Sequence, residues 1–355
     1  IDDDLDASPL VPDNGDPVMT GDYLTGQFMD DELDQGGSML THRMLLSMDG
    51  TVRGLYQGLS SSTGGGNESG HWYYDPAYDS SFSVIYENDL GQLSESGNAL
   101  IISNTDTADN AISLMVGGKL SSGMGLSSLV GNYIWGEFVN ISGGAYPLDP
   151  STKLMSLNFN DQTGLVHYSS IDDSRGDTDE GDAPYAVADD GSLVMGPGEG
   201  FVTPDGELLM SIDTADDPDI SLGLAVRQGA GMSTASLNGE FFFARIAGHF
   251  VDQASPFTST THMILTFDGI GTMTYENVGD SLGESENGLF PYSVASDGAV
   301  TIDGEPFGTV SSNGEYLLVV DADKLPDDAI EFGLGIKKGV ASFDSDGDTL
   351  AACWF

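Results

Sequence analysis

Carboxylates dominate the side chains that could do chemistry. Of 355 residues, 57 are Asp or Glu and only 10 are Lys or Arg, a formal charge of −47. The acids bunch into turns: Asn104-Thr105-Asp106-Thr107-Ala108-Asp109, then Asp213-Thr214-Ala215-Asp216-Asp217, then Asp321-Ala322-Asp323. The segment Asp344-Ser345-Asp346-Gly347-Asp348 has the same character. Oxygen ligands clustered on a turn suit calcium, which takes about 6–8 of them. Asp106, Asp109, Asp213, Asp216, Asp321, Asp323, Asp344, Asp346 and Asp348 are therefore candidate calcium ligands. The competing reading is that Asp starts turns through hydrogen bonds to its own backbone. The EF-hand pattern is not met at 344–355, because Gly347 falls two places early and Phe355 stands where the bidentate Glu belongs.

Other reactive groups are sparse. His42, His71, His167, His249 and His262 show no zinc-ligand spacing. No Gly-x-Ser-x-Gly elbow, Walker loop or dinucleotide fingerprint occurs. No catalytic or cofactor-binding residue is assigned, and a non-enzyme is expected, with a propeller-type hydrolase as the rival. The single cysteine, Cys353, cannot form an internal disulfide. The charge repels nucleic acid and anionic membranes and suits a cationic protein partner. No apolar run is long enough for a transmembrane helix. A chain beginning at Ile1, rich in Gly, Ser, Thr and Asp, reads as processed, secreted or surface-exposed, and bacterial.

The elements that would carry these groups repeat three times. Gly21-Asp22-Tyr23 returns as Gly131-Asn132-Tyr133 and Gly239-Glu240-Phe241, at spacings of 110 and 108 residues. Pro184-Tyr185 returns as Pro291-Tyr292, and Asp205-Gly206-Glu207 as Asn313-Gly314-Glu315, with Ser96-Gly97-Asn98 in the first copy. Thr41-His42 and Thr261-His262 read as one repeat position, occupied by Thr152-Lys153 in the second copy. The implied divisions are an acidic extension (1–19), three repeats (20–128, 129–236 and 237–340) and an extra apolar strand (341–355) that echoes a repeat start. Within a copy, short alternating or apolar runs are broken by Asp-Gly and Asn-Gly pairs, a hairpin signature. About eight strands per copy result, at approximately 240–250, 260–267, 271–277, 290–295, 299–302, 308–311, 316–321 and 330–337 in the third. The aromatic residues at each repeat start, Tyr23, Tyr133, Trp135, Phe241, Phe242 and Phe243, read as core or barrel lining.

Gly131-Asn132-Tyr133, Gly239-Glu240-Phe241 and the turn Phe267-Asp268-Gly269 resemble the first strand and following turn of lipocalin-like and avidin-like barrels. The resemblance implies an all-β chain of three tandem up-and-down barrels. A six-bladed β-propeller, two blades per copy, is the alternative. The expected function is a secreted or cell-surface, non-catalytic structural or adhesive protein. It would self-associate into oligomers or filaments through the terminal strand, with Leu350, Cys353, Trp354 and Phe355 as the connecting residues. The alternative is an extracellular binding module for a small apolar ligand, a glycan or a basic protein.

Overall fold

A computed structural model describes residues 19–31, 38–51, 53–64, 68–76, 81–84, 89–109, 111–140, 148–214, 219–250, 256–322 and 329–339. Every strand in them belongs to one of three closed antiparallel barrels. The first comprises β1 (Thr20–Asp31), β2 (Ser38–Asp49), β3 (Arg53–Ser61), β4 (Ser69–Pro76), β5 (Ser81–Val84), β6 (Leu90–Leu93), β7 (Ala99–Asn104) and β8 (Ala111–Lys119). The second comprises β9 (Gly131–Asn140), β10 (Pro150–Asn160), β11 (Leu165–Asp173), β12 (Glu180–Val187), β13 (Ser192–Met195), β14 (Gly198–Val202), β15 (Leu208–Asp213) and β16 (Ile220–Arg227). The third comprises β17 (Asn238–His249), β18 (Phe257–Asp268), β19 (Thr272–Asp280), β20 (Asn287–Val294), β21 (Ala299–Ile302), β22 (Glu305–Val310), β23 (Tyr316–Asp321) and β24 (Ala329–Lys337). The first strand of each barrel pairs with the last, so no edge remains and the propeller alternative falls.

Strand alternation places successive side chains on opposite faces. On β9, Tyr133 and Trp135 point inward with Leu157, Phe159 and Tyr185, while Ile134 and Phe138 point outward. Phe241 and Phe243 likewise line the third barrel, but their neighbour Phe242 faces outward. One end of each barrel is plugged. Tyr74, Tyr185 and Tyr292 each hydrogen-bond to a carbonyl near the barrel entrance: Thr51 at 2.8 Å, Leu129 at 3.4 Å and Leu237 at 2.6 Å. The edge-on ring pairs Phe159–Tyr185 and Phe267–Tyr292, at 4.9 and 5.0 Å, complete the plug in the second and third barrels. Beyond it, Tyr56, Tyr168 and Tyr275 pair across the sheet with Gly70, Gly181 and Gly288, where a Cβ would collide with the tyrosine ring.

The outward apolar residues form a single core shared by all three barrels. The first two strands of each barrel lie on the last strands of the next: β1 and β2 on β14, β15 and β16; β9 and β10 on β23 and β24; β17 and β18 on β7 and β8. The barrels thus close a ring with pseudo-threefold symmetry. A buried threonine crosses each seam. Thr41, Thr152 and Thr260 donate their hydroxyls to the carbonyls of Asp213, Asp321 and Asn104, at 2.7, 2.9 and 2.6 Å. At the opposite end, Glu95 and Ser312 donate backbone N–H groups across two seams, to Lys337 and Arg227. The third seam has Pro204 at that position, which has no N–H to give.

The seams also explain a glycine. Gly118 lies against Phe201 of the second barrel, and a Cβ there would sit 2.0 Å from the buried ring. Gly118→Ala is expected to destabilise the chain by about 1–3 kcal/mol through overpacking, read from the urea midpoint.

Candidate functional site

Past each plug, a polar belt crosses four adjacent strands at matching positions. In the second barrel it comprises Ser221, Glu137, Lys153 and Asp173 on β16, β9, β10 and β11. In the third it is Glu331, Arg245, Thr261 and Asp280. In the first it is Ser113, Gln27, His42 and Ser61. All sit on the inward parity of strands whose outward residues build the shared core.

The belts are chemically different. In the first barrel the Gln27 amide donates to Ser113 at 3.1 Å, and His42 faces Asp31 and Glu68. Burial holds the His42 imidazole below its ordinary pKa. In the third barrel Arg245 pairs with Glu331, and Thr261 donates to Asp280 at 2.7 Å. One step outward, His249 meets Ser259 at 2.7 Å and stacks on Phe257. Burial lowers the His249 pKa as well. In the second barrel Glu137 is partly buried, and desolvation raises its carboxyl pKa against the opposing pull of the Ser221 hydroxyl and Lys153. Trp135 lies flat on Gly223, at the boundary between plug and belt.

His42, Lys153 and Thr261 stood out in the sequence only through the Thr-His correspondence, and no belt residue read as part of a lumen site. The available signal was a charged residue at an inward position of an otherwise apolar strand, as Glu137 is in Tyr-Ile-Trp-Gly-Glu-Phe-Val. Reading it required the strand's parity.

The candidate calcium ligands occupy other places. Asp106 caps its own turn, accepting the Ala108 N–H at 2.9 Å. Asp213 and Asp321 contribute their main-chain carbonyls to the seams. Among the described residues, no three His, Cys, Asp or Glu side chains converge to hold a metal ion. Asp109 is the last residue of a single 3-10 turn (Thr107–Asp109). Asp216, Asp323, Asp344, Asp346 and Asp348 lie outside the described residues, as do Leu350, Cys353, Trp354 and Phe355.

The histidine correspondence read from sequence is off by one residue. Pairing aligns Thr41 with Thr152 and Thr260, so His42 matches Lys153 and Thr261. A one-residue slip exchanges the faces of a strand. His42 consequently lines a lumen, whereas His262 is buried in the seam, stacked on Phe242 with centroids 5.8 Å apart.

The few cations are mostly consumed as clamps. Arg43 bridges to Glu199 between the first two barrels, Lys337 to Glu95 between the third and first, and Arg175 to Asp149 within the second. The remaining surface is anionic and self-repelling. Raising NaCl from about 20 mM to about 1 M at pH 7 is expected to raise the melting temperature by about 5 °C or more, because the Debye length falls from roughly 20 Å to 3 Å. A flat or falling melting temperature would contradict this.

No family model and no curated protein matches the sequence. Among solved structures, the chain is similar to a variant of transferrin-binding protein B from Haemophilus parasuis, at 8% identity and TM-score 0.26, covering 91% of this chain and 77% of that one. It is similar to transferrin-binding protein B from serogroup B Neisseria meningitidis at 7% identity and TM-score 0.27, with the same coverages of 91% and 77%. A Nostoc punctiforme protein of unknown function matches at 9% identity and TM-score 0.21, over 90% of this chain and 96% of that chain. Likeness at this level carries no inference about function. Among the described residues, no helix is long and apolar enough to cross a membrane.

Proposed function

We propose that the chain is a non-catalytic binding module whose barrel lumens take small ligands at their polar belts. One observation carries this reading. Shell, plug and seams repeat from barrel to barrel, while the belts differ: Gln27, His42, Ser61 and Ser113 against Glu137, Lys153, Asp173 and Ser221 against Arg245, Thr261, Asp280 and Glu331. A purely architectural barrel interior has no need of three unrelated charge patterns at equivalent positions. Differing polar groups set over a common apolar plug are the arrangement of a specificity-determining pocket.

The test is a thermal-shift panel of charged, neutral and apolar small molecules on the full chain. It is repeated with one belt residue changed per barrel: Gln27→Leu, Glu137→Gln and Arg245→Met. Stabilisation by a compound, abolished by a change in one barrel and retained in the other two, is the expected result. No stabilising compound, or shifts indifferent to all three substitutions, would overturn the reading.

A further inference from the structure

The second lumen contains polar groups that the protein itself does not satisfy. The Trp135 side chain is 4% exposed, and its indole N–H has no acceptor among the described residues. Ser151 is 0% exposed, and its hydroxyl likewise has no partner. Both point inward and flank the belt: Trp135 one step toward the plug from Glu137, Ser151 one step outward from Lys153. Leaving a buried donor unpaired costs about 1–3 kcal/mol, so two in one lumen need an explanation.

The matching positions elsewhere show that the fold does not require this. In the third barrel Phe243 replaces Trp135, and Ser259, the counterpart of Ser151, is bonded to His249 at 2.7 Å. The belt there pairs Arg245 with Glu331 and Thr261 with Asp280, leaving the Arg245 Nε–H as its one open donor among the described residues. In the first barrel Leu40 stands at the serine position, and Thr25, at the tryptophan position, donates to the Met44 carbonyl at 3.2 Å. Only the second barrel leaves both donors open at these positions, and it also sets an acid and a base directly across from each other, Glu137 opposite Lys153, with Asp173 next along.

We propose that the lumen of the second barrel binds a small zwitterion of the amino-acid class. Its carboxylate takes the Trp135 N–H and the Lys153 ammonium, and its ammonium faces Glu137 and Asp173. The Ser151 hydroxyl bonds to whichever polar group reaches the mouth. The indole face of Trp135 and the ring of Tyr168 bound the apolar part of the ligand. This assignment rests on the lumen-binding reading above and adds the site and the ligand chemistry.

Isothermal titration of the full chain with alanine, propionate and isopropylamine tests it. Alanine is expected to bind, and the two singly charged analogues to bind at least about tenfold more weakly. Trp135→Phe, which keeps the ring and removes the donor, is expected to weaken alanine binding by about tenfold, as one lost hydrogen bond does. Glu137→Gln is expected to do so by tenfold or more, and Ile270→Ser, on an exposed turn of the third barrel, to leave the affinity unchanged. The Trp135 fluorescence, followed in a background with both other tryptophans removed (Trp72→Phe and Trp354→Phe), is expected to change on alanine addition, which guards against a variant that merely misfolds. If propionate or isopropylamine binds as tightly as alanine, the zwitterion assignment falls while lumen binding stands. If alanine binding survives both Trp135→Phe and Glu137→Gln, the second-barrel site falls. If none of the three probes binds, this proposal is overturned, and the broader panel alone then decides the lumen reading.

Discussion

Phe138→Ala is expected to destabilise the whole ring by about 3–5 kcal/mol, the range for truncating a fully buried phenylalanine. Phe138 faces outward from the second barrel into the core that the three barrels share. Its ring lies edge-on to Phe28 of the first barrel at 5.2 Å and tilted against Phe332 of the third at 6.4 Å. Truncation opens a cavity where three bodies meet, and none can close it without breaking a seam. In a urea titration of the full chain, tyrosine and tryptophan signals from all three barrels are expected to shift to lower denaturant together. A variant that lost stability in the second barrel alone, leaving the others at their original midpoint, would show that the shared core does not couple them. Thr152→Val, by contrast, removes one seam hydrogen bond (2.9 Å to Asp321) and is expected to cost only about 1 kcal/mol.

The second large effect is acid destabilisation through His262. The imidazole is 3% exposed, stacked on Phe242 in the seam between the third and first barrels. Burial lowers its pKa from 6.5 to about 4, outweighing the attraction of Asp280. A group with a depressed folded pKa binds more protons in the unfolded chain between those two values. Its contribution is therefore complete above about pH 6.5 and is lost as pH falls toward 4. The separation corresponds to about 3 kcal/mol. Three carboxylates act in the opposite sense: desolvation raises the pKa of the partly buried Glu137 and of the buried Glu207 and Glu315, so each favours the native state as pH falls through its folded pKa toward the unfolded value. The measurement is accordingly a difference. The stability lost between pH 6.5 and 4 is expected to be about 3 kcal/mol smaller in His262→Leu than in the unaltered chain. Equal slopes in the two proteins would show that His262 is not the acid-sensitive group.

Much of this architecture was legible in the residues. Hairpin spacing and the recurrence of Gly21, Gly131 and Gly239 suffice to predict three all-β copies, because turns and strand alternation are local properties. In the third copy each of the eight expected strands overlaps one in the structure, the departures being at ends such as β20, which begins at Asn287 rather than near 290. The aromatic residues at the repeat starts are core, as expected, but they belong to two cores. Tyr133 and Trp135 fill a barrel, while Phe242 joins barrels.

What the residues alone could not supply was the register between strands and the packing between barrels. The histidine correspondence failed by a single residue because composition around Thr41-His42 and Thr261-His262 is alike, and only hydrogen-bond pairing separates the lumen face from the seam face. The acidic hairpins read as Asp-initiated turns first and as calcium loops second. Their placement opposite Thr41 and Thr152 adds a third use, as main-chain carbonyls that accept a threonine hydroxyl across a seam. Glu137, Lys153 and Asp173 lie far apart along the chain and meet only because β9, β10 and β11 are neighbours in a closed sheet. Local sequence determined the strands, the turns and the threefold repetition, each of which depends on contacts between nearby residues. Barrel closure, the ring and the three distinct lumens arise from long-range pairing, in which one residue of register decides whether a side chain faces a lumen, a neighbouring barrel or water.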